Sequence, residues 1–428
     1  MRLFRPLRTR EIALLWGGMS LSAIGDQLYV VALSWIAVGV FGSAAGYLTA
    51  LQGLVLLLAA LGIGRWADRW DPQRSLIGAD LVRAATLLAV VAAWLATGRP
   101  GAVPLVAAVV VLAAGQAVFQ PALQSVLPRL TPDVSLLPAT NGLMDTTDRS
   151  ARLLGPGLVA VLGGIVPVVH FLTLDAASFL VSAAALILIR RSRRLVVVRR
   201  APGRESMWQG IARGAGAMGA HPILGYVLRT TGVVNGVWYA AFFLALPLLI
   251  EREGVRGPGG AGIGAYGLVI AAYGLTNLAS TLVLGGRAVP ARPQFQMFGG
   301  TILVGIGTAL MGLAGLLPEG WILPGLAAGA ALGAAGGPMK DIPLAVLRQT
   351  RLQEADLGAA MRAYMAANAA GMLVAMLLAP SLLRAFGPVA VIVACGAVLA
   401  ATAVLGMTLN AGWIETESPY GTHDLQRP

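Results

Sequence analysis

The chain alternates long apolar stretches with short polar loops that carry most of its arginines. Each stretch is about 20 residues or longer, enough for an α-helix to cross the hydrocarbon core of a bilayer. The first six stretches lie at 12–38, 45–64, 75–97, 103–127, 140–164 and 168–190. Six more lie at 223–250, 262–286, 295–317, 321–347, 357–384 and 387–413. The pattern predicts an all-α polytopic membrane protein with twelve transmembrane helices in two six-helix bundles.

The composition excludes a soluble domain with one buried core, since 57% of the 428 residues are hydrophobic and only 12% are charged. The formal net charge of +12 would suit a nucleic-acid partner. Here, however, the arginines cluster at the ends of the apolar stretches, where they orient a membrane protein among its lipids. We therefore expect membrane lipids as surroundings and no nucleic-acid partner.

Residues that bind metals or form disulfides are few. Cys395 is the single cysteine, and the three histidines, His170, His221 and His423, are far apart in the sequence. They predict neither a disulfide framework nor a metal site. Clustered nucleophiles and bases, which an enzyme would need, are not visible either. We expect no cofactor, no metal and no enzymatic activity.

Arginines are concentrated in alternate loops, which gives the predicted orientation. The rich segments are the N-terminus, 65–74, 129–152, 190–213, 287–292 and 348–362. Because positive loops face the cytoplasm, both termini are predicted to be cytoplasmic. The predicted parts are an N-terminal bundle at 1–190, a basic cytoplasmic linker at 191–222, a C-terminal bundle at 223–413 and a tail at 414–428. Within the linker, 206–220 suits either a helix lying along the lipid headgroups or a solvated charge run.

Ionisable residues inside the apolar stretches are the main functional candidates, because each costs energy unless it is paired, hydrated or functional. Asp26 lies midway along the first stretch, with Ser22 and Tyr29 on the same helical face. Low-dielectric surroundings favour the neutral acid over the carboxylate, so Asp26 suits proton uptake. A hydrogen bond to a neighbouring helix is the structural alternative. Asp175, in the sixth stretch, is the second candidate for proton coupling.

Lys340 is the only lysine among 31 basic residues. It lies next to Asp341 and between Pro338 and Pro343, which interrupt the hydrogen-bond ladder of a helix. Lysine, unlike arginine, can lose its proton when it is desolvated. Its amine is therefore either a titrating or substrate-attracting group, or a side chain that extends to the cytoplasmic surface. The sequence leaves both open.

Aromatic and amide side chains recur together at helical spacing, which suits a cavity for large amphipathic compounds, although aromatic stripes also serve packing. The candidate cavity residues are Tyr29, Gln116, Phe119, Gln120, Thr231, Asn235, Trp238, Phe242, Lys340, Asp341, Tyr364 and Asn368. Gly155 and Pro156 in the fifth stretch allow a bend or a close helix contact and form a candidate hinge.

The loop between the second and third stretches is dense in charge, with Arg65, Arg69 and Arg74 against Asp68 and Asp71. At Gly64, Asp68, Arg69 and Arg74 the loop resembles a signature of the major facilitator superfamily. This signature, Gly-x-x-x-Asp-Arg, joins helices 2 and 3 in that superfamily. The resemblance implies a conformational latch, in which Asp68 contacts the N-terminal end of helix 11 and stabilises the outward-facing state. We add Asp80 and Arg83 to the latch, although this pair also suits local stabilisation of a helix end.

Further motifs resemble one branch, the third drug:proton antiporter family, which includes macrolide, multidrug and enterobactin exporters. They are Gly25-Asp26, Asp80 with Arg83, Gln120 to Gln124 with Pro128, Asn141 with Gly155-Pro156, and Leu174-Asp175-Ala176. The resemblance implies a monomeric antiporter in a bacterial inner membrane that exports amphipathic, drug-like compounds in exchange for protons by alternating access. Siderophore, lipid or metabolite export is the nearest alternative, and a non-transporting receptor or an enzyme is a more distant one.

Overall fold

The computed structural model describes residues 5–67, 71–131, 136–192, 207–257, 260–285, 287 and 290–413. Within these ranges the regular secondary structure is helical, without strands. The helices are α1 (Arg10–Phe41), α2 (Ala45–Ala67), α3 (Pro72–Thr97), α4 (Ala102–Leu130), α5 (Leu137–Leu162), α6 (Val169–Ser192), α7 (Met207–Gly219), α8 (Pro222–Ala240), α9 (Leu246–Arg252), α10 (Gly262–Gly285), α11 (Pro293–Ala314), α12 (Glu319–Arg351) and α13 (Glu354–Leu409). The predicted all-α class is confirmed.

The predicted spans correspond to helical stretches of the described chain. Nine stretches there are long and apolar enough to cross a membrane, and two of them, Arg10–Leu56 and Ala355–Leu409, each contain two predicted spans. α13 changes direction at Gly387, whose φ of 78° and ψ of 168° suit a residue without a side chain. The span predicted at 140–164 falls in α5, which is not one of these nine stretches and whose first half carries Asp145, Asp148, Arg149 and Arg152.

The chain forms two compact units. Unit 1 comprises Met1–Pro202 with Ile250–Ala271, and unit 2 comprises Gly203–Leu249 with Ala272–Pro428. Within unit 1 the start of α10 packs closely, since a Cβ at Gly262 would stand 2.5 Å from the ring of Trp35. The described residues do not decide the predicted part boundaries at 190 and 223, and the linker segment 193–206 and the tail 414–428 lie outside them.

The core of unit 1 is built where α1, α3, α4 and α6 meet. Its buried side chains include Leu15, Leu76, Phe119, Val126 and Ile189. Small residues bring α1 and α6 together, and a Cβ at Gly18 would lie 3.1 Å from Cβ of Ala185. This close contact positions the polar groups described below.

Asp71 caps the start of α3. Its Oδ1 accepts hydrogen bonds from the backbone N–H groups of Gln73 (2.9 Å) and Arg74 (3.3 Å), and Pro72 occupies the first helical turn. Its Oδ2 lies 3.1 Å from Nη2 of Arg190 near the end of α6. Asp71 and Pro72 therefore have a local structural role at the start of α3.

Unit 2 contains α7, which covers most of the linker segment 206–220, and α12, which contains Pro338 and Pro343. α7 packs on the start of α13: a Cβ at Gly214 would stand 2.0 Å from the carbonyl oxygen of Ala359, and Met218 is fully buried. Trp208 on the same helix is 64% exposed. α12 runs continuously across Pro338 and Pro343, so the prolines do not end this helix.

Candidate functional site

Unit 1 buries a group of ionisable side chains from α1, α3 and α6. We call Asp26, Asp80, Arg83 and Asp175 the acid cluster. Asp80 and Asp175 are fully buried and Arg83 is 4% exposed, whereas Asp26 is only partly buried. Asp80, Arg83 and Asp175 are the buried charged side chains among the residues that the structure describes, and in a membrane such groups are either paired or functional.

Asp175 is pressed against the residue that precedes Asp26. A Cβ at Gly25 would stand 2.6 Å from Oδ1 of Asp175 and 2.3 Å from Oγ of Ser178. Ser178 Oγ lies 2.8 Å from the carbonyl oxygen of Asp175 and 3.3 Å from its Oδ1. Oδ2 of Asp175 is buried without a hydrogen bond in the described part of the chain. Gly25 thus lets α6 bring one carboxyl next to another.

Arg83 supplies the cation of the cluster. It forms a short ion pair with Asp80 one turn earlier on α3. Its guanidinium carbon lies 4.7 Å from the ring centroid of Phe119 and 4.2 Å from that of Phe179. Two aromatic faces therefore hold and desolvate the guanidinium, which strengthens both the cation–π contacts and the ion pair.

The acid cluster has the composition of a proton-binding site. Asp175 lies in electrostatic range of Asp26, Asp80 and Arg83, and Tyr29 lies in range of Asp26 and Asp175. Asp80 and Asp175 are fully buried carboxyl groups, and a buried carboxylate is costly unless it is paired or protonated. Binding of a proton removes that cost. Within the described residues no group of three or more His, Cys, Asp or Glu side chains is arranged to hold a metal ion.

The structure regroups several predicted site residues. Asp80 and Arg83, predicted as part of the latch, lie with Asp175, a predicted proton-coupling residue. Phe119, predicted for the cavity, packs on Arg83. Gln116 and Gln120, predicted with Phe119, are exposed on α4. The structure therefore separates the predicted cavity residues of α4, since Phe119 is buried while Gln116 and Gln120 are exposed. It also brings together residues that were predicted for the latch, for proton coupling and for the cavity.

The latch and hinge residues are only partly described. Asp68 and Arg69 lie outside the described residues, Gly64 lies in α2, and Arg74 is an exposed residue whose Nε is 3.7 Å from Oδ2 of Asp71. Gly155 packs on α1, since its Cβ would stand 2.3 Å from Cβ of Gln27. Gly155 and Pro156 both lie inside α5, and the side chain of Pro156 is outside the described set.

Unit 2 contains an aromatic cluster, which comprises Trp238, Tyr239, Phe242, Phe243 and Tyr273. Trp238 and Phe242 stack with centroids 5.1 Å apart, and Tyr239 and Phe243 stack at 4.4 Å. Tyr273 of α10 lies 5.7 Å from Trp238. The backbone at Ala241–Ala245 is π-helical, a local widening of the helix that is frequent at functional sites.

Unit 2 also contains a pocket with about 360 Å³ of empty space, part of it open to solvent. We call it the lysine pocket; its lining includes Tyr226, Thr231, Phe298, Lys340, Tyr364 and Thr402. Nζ of Lys340 lies 3.4 Å from Oδ1 of Asp341. Nδ2 of Asn235 donates to Oγ1 of Thr231 at 2.9 Å. Oδ1 of Asn368, one turn after Tyr364, is buried without a hydrogen-bond partner among the described residues.

Sequence reasoning missed several members of these sites. Ser178 and Phe179 follow Asp175 at helical spacings of three and four residues, which place them on its face of α6. That spacing was a usable signal. Tyr226 and Phe298 of the lysine pocket carry no such signal, because only the packing of α8 on α11 brings their rings to a centroid distance of 5.5 Å.

The fold has clear structural relatives. The chain is similar to a peptide transporter of the POT family (TM-score 0.68, 13% identity, covering 94% of each chain). It is also similar to the POT family transporter PepTSo (TM-score 0.69, 12% identity, 94% of this chain and 98% of that one). A bacterial homologue of the iron transporter ferroportin in an inward-facing state has a TM-score of 0.70 at 13% identity, covering 93% and 98%.

At these identities the structural likeness shows the fold alone. No curated protein matches the sequence. The sequence itself matches the Major Facilitator Superfamily over residues 15–350, which is well over half of the chain. The protein therefore belongs to the Major Facilitator Superfamily and is a multi-pass membrane transporter rather than an enzyme.

Proposed function

We propose that the protein exports amphipathic organic compounds in exchange for protons, by alternating access. The acid cluster is the observation that carries this proposal. Two of its carboxyl groups, those of Asp80 and Asp175, are fully buried, and a buried carboxylate is costly unless it is paired or protonated. The resemblance to drug:proton antiporters supports the same conclusion. The protein would act as a monomer in a bacterial inner membrane, with both termini cytoplasmic.

Asp26 is the proposed entry point for the proton, because it is the least buried acid of the cluster. A proton from the outside neutralises Asp26, and Asp175 then shares it as the neighbouring carboxyl. Neutralisation leaves Arg83 paired with Asp80 and lowers the negative charge that Asp26 and Asp175 place in the apolar interior. This favours the release of substrate outside and the return to the inward-open state.

The loop between α2 and α3 is proposed to control the rate of that return. Gly64, Asp68, Arg69 and Arg74 form the proposed latch, and Gly155 and Pro156 the proposed hinge. The latch charges belong to the short polar segment between two apolar stretches of the sequence, whereas the predicted cavity residues lie within the apolar stretches. Asp68→Asn should therefore slow turnover while it leaves substrate affinity nearly intact, and a selective loss of affinity would overturn this role.

Transport by the purified protein in liposomes tests the proposal. Ethidium and dansylaminoundecanoic acid serve as cationic and anionic amphipathic probes, and their movement is followed by fluorescence under an imposed pH gradient. We expect Asp26→Asn to abolish gradient-driven movement while probe binding persists, because the neutral amide cannot exchange a proton. Glu319→Gln is the matched control, since Glu319 is an exposed acid at the start of α12.

Full gradient-driven transport by Asp26→Asn would contradict the assignment of Asp26. A sodium gradient imposed without a pH gradient tests the coupling ion. Movement driven by sodium alone would contradict proton coupling while it leaves the transporter assignment intact.

A further inference from the structure

The lysine pocket is lined by charged and polar side chains that proton-coupled export of amphipathic compounds does not by itself explain. It contains the only lysine of the chain, and α8, α11, α12 and α13 all contribute to its lining. Lys340 lies 11 residues before the end of α12 at Arg351, which is about 16 Å at 1.5 Å per residue. A lysine side chain does not reach that far. Lys340 therefore serves the inside of unit 2 and not the end of its helix.

Asp341 only partly satisfies Lys340. The two residues are adjacent, so their side chains leave the helix in different directions. The side chain of Asp341 is 65% exposed, whereas that of Lys340 is 20% exposed. At 3.4 Å the contact is longer than a strong charge-assisted hydrogen bond. An ammonium group has three donors, and Asp341 cannot occupy all of them.

The hydroxyl groups of the pocket differ in what they can still donate. Thr230 donates to the carbonyl oxygen of Tyr226 at 2.9 Å, and Thr301 donates to that of Met297 at 3.1 Å. Thr231 instead accepts a hydrogen bond from Asn235. A hydroxyl that accepts keeps its own proton for a further partner. Thr231 thus adds a neutral donor to the charged donors of Lys340.

A second cation lies behind the pocket wall. The guanidinium carbon of Arg348 is 5.1 Å from the ring centroid of Tyr364, and Tyr364 lines the pocket. Among the described residues, Asp341 is the ion-pair partner of Lys340, and its side chain is exposed. Phe298 and Val227 give the same pocket apolar walls.

We propose that the lysine pocket binds the acidic group, a carboxylate or a phosphate, of an amphipathic organic acid that the protein transports. This inference rests on the proposed function and narrows its substrate class. Lys340 and Thr231 donate to the acidic oxygens, and the apolar walls contact the first carbons of the molecule. The pocket is small and partly open to solvent, so it takes the acidic group while the bulk of the substrate stays outside.

A matched pair of probes tests the inference. Dansylaminoundecanoic acid and its methyl ester differ only in the charge of the head group, and their binding to the purified full-length protein is followed by dansyl fluorescence. We expect wild-type protein to bind the acid about tenfold more tightly than the ester, since a hydrogen bond to a charged group contributes about 1.4 kcal/mol or more. Lys340→Gln should remove this preference and leave ester binding within about twofold of wild type.

Two further variants distinguish an effect of the positive charge on binding from an effect of misfolding. Lys340→Arg keeps a cation and should retain part of the preference for the acid. Arg256→Gln removes an exposed arginine of the loop after α9 and should leave both affinities unchanged. Equal binding of acid and ester by wild type would overturn the inference, and so would an unchanged preference in Lys340→Gln.

These failures are distinguishable from a failure of the proposed function. If wild type moves the ester under a pH gradient but does not prefer the acid, the transporter proposal stands and the acid site is wrong. If wild type prefers the acid through Lys340 but a pH gradient drives neither probe, the acid site stands and the coupled transport proposal is wrong.

Discussion

Unit 1 encloses Asp80, Arg83 and Asp175 in its interior, whereas unit 2 places Lys340 in the lining of a pocket. Asp80 and Asp175 are fully buried and Phe119 and Phe179 fill the space around Arg83. In unit 2 the side chain of Lys340 is 20% exposed and that of Asp341 is 65% exposed. This difference underlies the two proposals, proton exchange at the acid cluster and binding of an organic acid at the lysine pocket. The difference teaches that packing around a charge, more than the charge itself, decides what each unit can bind.

The largest effect is expected for the cation of the acid cluster. Arg83→Leu leaves Asp80 buried beside Asp175 without its partner, which should cost about 3–5 kcal/mol of the free energy of unfolding. Lys340→Leu in unit 2 should cost less than about 1 kcal/mol, because Asp341 remains hydrated. Titration with dodecyl sulfate, followed by tryptophan fluorescence, measures both.

A double variant checks the cause of the loss. Asp80→Asn with Arg83→Leu removes the uncompensated carboxylate and should recover a large part of the stability that Arg83→Leu loses. Equal costs for Arg83→Leu and Lys340→Leu would break the comparison between the closed and the open group.

The next effect concerns the contact that closes the acid cluster. Gly25→Ala places a Cβ within 2.3 Å of Ser178 Oγ and 2.9 Å of its Cβ, so α1 and α6 must separate. We expect a loss of about 1–3 kcal/mol from overpacking, measured by the same titration. Gly17→Ala is the control on the same helix, since nothing lies within 4 Å of its Cβ position. It should be neutral or slightly stabilising, and a comparable loss there would remove the argument from close packing.

A smaller effect on ligand binding is expected from the hydroxyl group of Thr231 in the lysine pocket. Thr231→Val keeps the shape of the side chain but removes the hydroxyl. The loss of one neutral hydrogen bond should weaken binding of dansylaminoundecanoic acid by about threefold to tenfold. Nδ2 of Asn235 retains the carbonyl oxygen of Thr231 at 3.0 Å. A weakening of acid and ester binding by the same factor would argue for lost packing instead.

The smallest effect is expected at the surface of unit 1. Arg190→Gln removes an ion pair with Asp71 whose side chains are 24% and 23% exposed. We expect a change below about 1 kcal/mol in the free energy of unfolding, because water and salt screen such a pair. Asp71 keeps its capping bonds to the start of α3. A loss as large as that of Arg83→Leu would show that burial does not distinguish the acid cluster.

The sequence predicted the helices well because their causes are local. A bilayer requires about 20 apolar residues per span, and the stretch predicted at 75–97 agrees with α3 at Pro72–Thr97. Asp26, Asp175, Lys340 and Trp238 could be selected for the same reason, as polar or aromatic groups in apolar surroundings. Their roles remain proposals.

The sequence by itself therefore determined the all-α class, the predicted spans and the candidate site residues, since hydropathy and segment length can be read along the chain. Only the tertiary structure decided which of these residues lie close to one another. Arg83 belongs with Asp175 and Phe179 because of how α3 and α6 are rotated and how closely they pack, and Gly25 belongs there because it has no side chain. Likewise, Lys340 and Thr231 line the same pocket only because α8 and α12 belong to the same unit. Such contacts depend on helix rotation and approach distance, which the apolar pattern of a membrane helix does not specify.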